Sequence, residues 1–167
     1  IPTNGSTQTR AAETCNGAGT SSIFNDSEGI LYAELASLAA DATYKTITIN
    51  DNSVSDRVQI SINANTIYLA ILNNGSATVF DGVSVSDTTT FNKIAVRYIA
   101  NNCQLWINGS KVFTDTSASM PTGLSQIDFN KGAGGDPFYG KTRDIRVYNT
   151  KEMTDSEVDI LLTKITS

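Results

Sequence analysis

The sequence predicts an all-β chain, folded as an antiparallel β-sandwich and closed by one short C-terminal helix. Three observations carry this. Apolar residues alternate with polar ones in short runs spaced about ten residues apart, the period of half-buried strands. Turn chemistry separates the runs, with Asn-Gly pairs at 74–75 and 108–109. Long amphipathic helices between the runs are missing, so no βαβ alternation forms and the sheets are antiparallel.

Residues 1–20, "IPTNGSTQTRAAETCNGAGT", lack apolar periodicity. They read as a linker or N-terminal arm that adds a strand near its end, and residues 21–167 form the domain. In "GILYAELASL", Leu31, Ala33 and Leu35 alternate with Ile30, Tyr32 and Glu34. "YKTITIN" places Ile47 and Ile49 on one face. "DRVQISIN" sets Val58, Ile60 and Ile62 against Arg57, Gln59 and Ser61, and "TIYLAIL" alternates Ile67, Leu69 and Ile71. "IAVRYIANNCQLWINGSKVFT" reads as three strands, turning at Asn101-Asn102 and at Asn108-Gly109. Asn-Gly suits a type I′ hairpin because both central residues need positive φ. Asn4, Asn74 and Asn108 also head Asn-Gly-Ser glycosylation sequons, but turn chemistry accounts for these pairs without glycans.

"KTRDIRVYN" is a further strand, with Ile145 and Val147 inward. In "MTDSEVDILLTKI", Thr154 and Glu157 have the spacing of a capping box, and Met153 and Val158 that of a hydrophobic staple. Val158, Leu161, Leu162 and Ile165 make one apolar helix face. The helix is expected to lie on the sandwich as a lid over an open sheet end.

Composition excludes several classes. The chain has 167 residues with a net charge of −5, which does not suit a phosphate-tracking surface, so nucleic acid is not an expected partner. No stretch resembles a signal peptide or a membrane span. The first residue is Ile rather than Met, as in a fragment or processed chain. Histidine is absent, which removes Ser-His and Cys-His nucleophile pairs and the common zinc and iron ligand sets. Cys15 and Cys103 allow one disulfide, which the sequence leaves open.

"FYGKTRDIRVYN" followed by "MTDSEV" resembles the closing signature of laminin-G-like, concanavalin-A-like jelly-roll domains, and "LWINGSKV" resembles an apolar strand and turn of the same superfamily. The resemblance spans roughly residues 22–165. It implies fold more than function, since the superfamily includes lectins, adhesion modules, spacers and glycanases. The leading segment is similar to linkers between tandem modules of bacteriophage tail and virion surface proteins. That similarity implies a virion or extracellular-surface location and neighbouring virion or surface-protein subunits as partners.

A retaining glycanase needs two carboxylates about 5 Å apart. No E-x-D-x-E run supplies them on one strand, and no enzyme is expected. Calcium wants six to eight oxygen ligands. The loops "NDNSVSD" and "GAGGDP" hold one or two acids each, so no cofactor is expected and calcium is the weaker reading. If Leu105 and Ile107 point into the core, Trp106 points away with Tyr32, Glu34, Arg97 and Arg146. In a jelly roll these five would share a sugar- or receptor-binding face, because aromatic rings stack on sugars while Arg and Glu bond to hydroxyls. The bland alternative pairs Glu34 with Arg97 or Arg146 and covers Trp106 with loops or a stacked Arg. The loops at 50–56, 80–87 and 130–140 are rival sites, with Phe138 and Tyr139 read as a buried corner. The expected role is a non-catalytic module binding a cell-surface glycan or receptor. The alternative is a spacer, decoration or assembly domain.

Overall fold

The alternating runs fold as strands with one residue in two facing the opposite sheet, while many of the alternate residues are buried as well, β2 along its whole length. The computed structural model describes Cys15 and residues 17–167. The ten strands are β1 (Glu28–Ser37), β2 (Lys45–Asn50), β3 (Arg57–Asn63), β4 (Thr66–Asn73), β5 (Ser76–Ser84), β6 (Asn92–Ile99), β7 (Cys103–Ile107), β8 (Ser110–Asp115), β9 (Gln126–Asp128) and β10 (Gly140–Tyr148). They form two antiparallel five-stranded sheets, ordered β5-β4-β3-β2-β9 and β10-β1-β6-β7-β8. Between the sheets lie Leu31, Ala33 and Leu35, with Ile47, Ile49, Val58, Ile60, Ile62, Ile67, Leu69 and Ile71 opposite. Both Asn-Gly pairs turn with positive φ at each residue, at 50° and 76° for Asn74-Gly75 and 48° and 84° for Asn108-Gly109.

At the end of the expected arm the structure holds one isolated β-bridge, not a named strand. Ala18 bridges Ile127, and Cys15 O accepts from Phe129 N at 2.8 Å, so this segment extends the β9 edge. The rest of the expected linker, residues 1–14 and 16, lies outside the described residues. Cys15 and Cys103 are free thiols. Burial pushes the Cys103 thiol up to about 11, which keeps it protonated and unreactive at neutral pH.

The helix α1 (Asp155–Thr166) begins with the complete capping box of Thr154 and Glu157. It lies across the outer face of the β10-β1-β6-β7-β8 sheet, not over an open end. Val158 and Leu162 are buried there against Ile30, Tyr32, Ala95 and Trp106, with Leu161 and Ile165 partly buried alongside. The apolar outward residues of β1, β6 and β7 require this cover, because left open they would form an exposed apolar patch.

Near the start of β2, the buried Lys45 ammonium donates to Asp41 Oδ1 at 2.6 Å and to Thr43 O at 2.9 Å. The Lys45 hydrogen bond, aided by Thr43, holds the Asp41 carboxyl at about 2, below its ordinary 3.8. A carboxylate depressed by folding stabilises the fold above its unfolded pKa. The contribution is therefore complete above about pH 4 and fades as pH falls toward about 2. Urea unfolding across that window should show wild type losing more stability than Asp41→Asn; parallel losses would refute the assignment.

Candidate functional site

The five residues expected to form a binding face do share one face, the outer side of the sheet that carries α1. Trp106 is 7% exposed beneath the helix. Its Nε1 donates to Gln104 Oε1 at 2.8 Å, and the Lys111 ammonium stands 5.5 Å from its ring centroid. The cover over Trp106 is thus the terminal helix, rather than a loop or a stacked Arg. Tyr32 is buried in the same cluster, with the Arg146 guanidinium 5.7 Å from its ring. Arg97 is buried and pairs with Asp155 in the first turn of α1. Glu34 pairs with Arg143 at 2.6 Å, not with Arg97 or Arg146. A bulge between Glu34 and Leu35 inserts Arg143 opposite them, and such an extra residue re-aims a side chain outward. Arg143 then lies 4.0 Å from the Phe91 ring centroid. Of the five, Arg146 is the exposed one, bound to Asp144 at 2.5 Å.

The outer face of the other sheet is built differently. Its outward row Phe80, Ala70, Gln59, Thr48 and Asp128 crosses all five strands in register, beside the row Gly82, Tyr68, Ser61 and Thr46. The floor is polar yet buried: Thr46, Thr48, Asn50, Gln59, Ser61 and Asp128 are all nearly inaccessible. Their bonds run from side chain to side chain. Gln59 Nε2 donates to Ser61 Oγ at 2.7 Å, and Ser61 Oγ and Thr46 Oγ1 are 2.8 Å apart. Asn50 Nδ2 donates to Thr48 Oγ1 at 2.8 Å and to Asp128 Oδ2 at 2.9 Å. A satisfied polar network of this kind fixes side-chain positions.

Two loops overhang this floor. Thr48 Oγ1 donates to Asn130 O at 3.0 Å, and Arg57 donates to Val54 O. The loops touch at Gly132, whose φ of 106° suits glycine and where a Cβ would collide with the Ser53 carbonyl.

Beside the floor runs a line of rings, exposed at Tyr44 and Phe80 and half-buried at Tyr68 between them. Tyr44 and Tyr68 have centroids 5.6 Å apart, and so do Tyr68 and Phe80. Gly82 makes room for them, since a Cβ there would stand 2.5 Å from Tyr68 Cε1. Phe80 is 58% exposed and Tyr44 36%. Tyr44 and Tyr139, itself 43% exposed, border a cleft of about 470 Å³ completed by Ala42, Thr43, Asp136 and Pro137. Phe138 is fully buried, edge-on to Phe129 at 5.9 Å, so the expected buried corner divides into one anchor and one exposed ring. Burial, then the neighbouring Tyr68, push the Tyr44 hydroxyl up, keeping it protonated and able to donate.

A larger cleft, of about 610 Å³, lies at the rim around Asp26, Glu28, Asn25 and Lys151. Its carboxylates and Asn25 are committed to the fold. Asp26 accepts from Gly123 N and Leu124 N at 2.7 and 2.8 Å, Glu28 from Thr150 Oγ1 at 3.0 Å, and Asn25 bonds Asn149 at 3.2 Å. Among the described residues no group of three or more Asp, Glu, Cys or His could hold a metal ion. No described helix is long and apolar enough to cross a membrane.

Solved structures similar to this chain share its sandwich. The carbohydrate-binding module CBM40 of the Ruminococcus gnavus intramolecular trans-sialidase, bound to α2,3 sialyllactose, matches with a TM-score of 0.65 at 14% identity, covering 84% of this chain and 83% of that one. A leech intramolecular trans-sialidase matches with a TM-score of 0.63 at 19% identity, over 84% of this chain but 23% of the enzyme. The binding domain of botulinum neurotoxin serotype D/C matches with a TM-score of 0.58 at 18% identity, over 84% of this chain and 37% of that one. At these identities the likeness is one of fold. No curated protein sequence matches. The family model Laminin_G_3, described as the concanavalin A-like lectin/glucanases superfamily, matches residues 35–159, and with most of its length so matched the chain belongs to that family.

Proposed function

We propose that this chain is a non-catalytic carbohydrate- or receptor-binding module, whose ligand lies along Tyr139, Tyr44, Tyr68 and Phe80. One observation carries the reading: three exposed rings, Tyr44, Phe80 and Tyr139, with the half-buried Tyr68 among them, converge from separate elements beside a fixed polar floor. Apolar sugar faces stack on such rings, and ring hydroxyls of the sugar bond at the border. The sandwich neighbour bound to α2,3 sialyllactose supports it as a fold able to carry such sites. The parent protein is read as a phage tail or virion surface protein, on the resemblance of the leading segment. Repetition on one particle would raise weak binding through effective concentration.

Tyr44→Ala and Phe80→Ala should each weaken glycan binding by about 1–3 kcal/mol, as contact aromatics do, with unchanged melting temperature. Isothermal titration against the best hit of a glycan array reads the first, calorimetric melting the second. Unchanged affinity in both variants would move the site elsewhere.

One observation favours a second reading. Glu34 and Asp144 stand directly opposite each other on β1 and β10, a carboxylate pair that no single strand supplies. Each is engaged by its own arginine, Arg143 or Arg146, which supports a structural role. Reducing-sugar release that disappears in Glu34→Gln would make the chain a glycanase instead.

A further inference from the structure

The described residues include four arginines, and three of them are ion-paired: Arg97 with Asp155, Arg143 with Glu34 and Arg146 with Asp144. The fourth, Arg57, has no carboxylate within ion-pair distance among the described residues. It is partly buried on the outer face of β3, between Asn50 and Leu72. Its Nε donates to Gln59 Oε1 at 2.7 Å, and another guanidinium nitrogen donates to the Val54 carbonyl. These two neutral acceptors fix the fork without neutralising it. Burial pulls the Arg57 pKa below its usual value, and Asp136 opposes this from across the face. Asp136 is itself engaged by Lys131 at 3.3 Å. Of the neighbouring acids, Asp128 is held by Asn50 and Gln126, Asp56 by Thr122 N and Asn74 N, and Asp51 accepts from Ser53 N at 3.0 Å. An oriented guanidinium without a counter-charge is an unfilled place for a planar anion, since carboxylate and sulfate oxygens match its fork.

Gln59, which holds Arg57, is the cross-strand neighbour of Ala70, and Ala70 that of Phe80. A ligand stacked on Phe80 and extended over Ala70 and Gln59 would therefore reach Arg57, the next outward residue of β3. Resting on the proposed ring site, we infer that its ligand is an acidic glycan, whose carboxylate or sulfate is read by Arg57. Arg57 is then the residue that separates acidic from neutral sugars, while the rings supply sequence-tolerant contact.

The test uses the full chain on an array that pairs neutral oligosaccharides with counterparts carrying sialic acid, a uronic acid or sulfate, at low and raised salt. Wild type should retain acidic members roughly tenfold better than their neutral partners, a margin that shrinks as salt rises. Arg57→Gln should erase the margin, and Arg57→Lys should keep only part of it, because a point charge replaces the fork. Whether sialylated and uronated or sulfated members lead identifies the anion. Equal retention of neutral and acidic partners, unchanged in Arg57→Gln, would overturn the inference and leave the ring site standing. A fall in melting temperature in Arg57→Gln with the acidic margin intact would make Arg57 a brace for the 51–56 loop and overturn it as well. If wild type retains no glycan, the ring site itself fails and the inference with it.

Discussion

Trp106→Ala should lower the unfolding free energy by about 3–5 kcal/mol, the cost of removing a large buried aromatic. The ring is roofed by Val158 and Leu162 of α1 and bordered by Ile30 and Ala95. Its loss leaves a void at the contact that holds the helix down, and the Gln104 amide oxygen loses its donor. Loosening should therefore concentrate in α1. Urea unfolding measures the total, and hydrogen exchange of the 158–166 amides locates it. A stable variant with an undisturbed helix would mean that Trp106 is not the helix's seat. The same experiment bears on the sugar-stacking role expected of Trp106 from sequence, since that role requires the fold to survive while affinity falls.

Phe138→Ala should cost a similar 3–5 kcal/mol or so and, unlike the first, should also weaken binding. Phe138 is fully buried, edge-on to Phe129, and its ring fills the space that the missing Cβ of Gly140 leaves. Its N–H donates to Phe129 O at 3.0 Å, closing the base of the 130–136 loop. Tyr139 and Asp136, on either side, line the cleft. Without the anchor, both walls lose their footing. Affinity and unfolding free energy should fall together, in contrast to Phe80→Ala, which should change affinity alone. Full glycan affinity in a destabilised Phe138→Ala would separate the loop from the site.

Most strands were legible, because period-two alternation and Asn-Gly turns are local signals. The helix start was legible for the same reason: Thr154, Glu157, Met153 and Val158 lie within six positions. The resting place of the helix was not, since a helix face records that it is buried but not against what. That Trp106 and Tyr32 point away from the inter-sheet core was read correctly from alternation. Alternation alone does not tell a solvent face from one covered by a later segment. β9 escaped notice because three residues show too little alternation to count, and residues 80–84, read as a loop because of Asp81-Gly82, are instead the second half of β5. The ring line was illegible for a different reason. Tyr44, Tyr68, Phe80 and Tyr139 sit on separate elements, and only the strand register and Gly82 bring the first three together. In the alternative to a binding face, Glu34 would meet Arg97 or Arg146. The bulge that supplies Arg143 instead is a one-residue insertion without a distinctive residue type. A partial signal for the polar floor did exist: "KTITIN" and "DRVQISIN" place Thr, Ser, Gln and Asn, rather than Lys and Glu, at outward positions, the composition of a face that is covered yet hydrogen-bonded.

The placement of α1 has a consequence for engineering. With one outer face covered by the helix and the other carrying the rings, the helix seat and the proposed ligand site lie on opposite sides of the molecule. Randomising Tyr44, Tyr68, Phe80 and Arg57 would vary the proposed recognition surface while leaving the Trp106 seat and the inter-sheet core untouched. The domain is in that sense a display scaffold, a fixed back supporting a variable front.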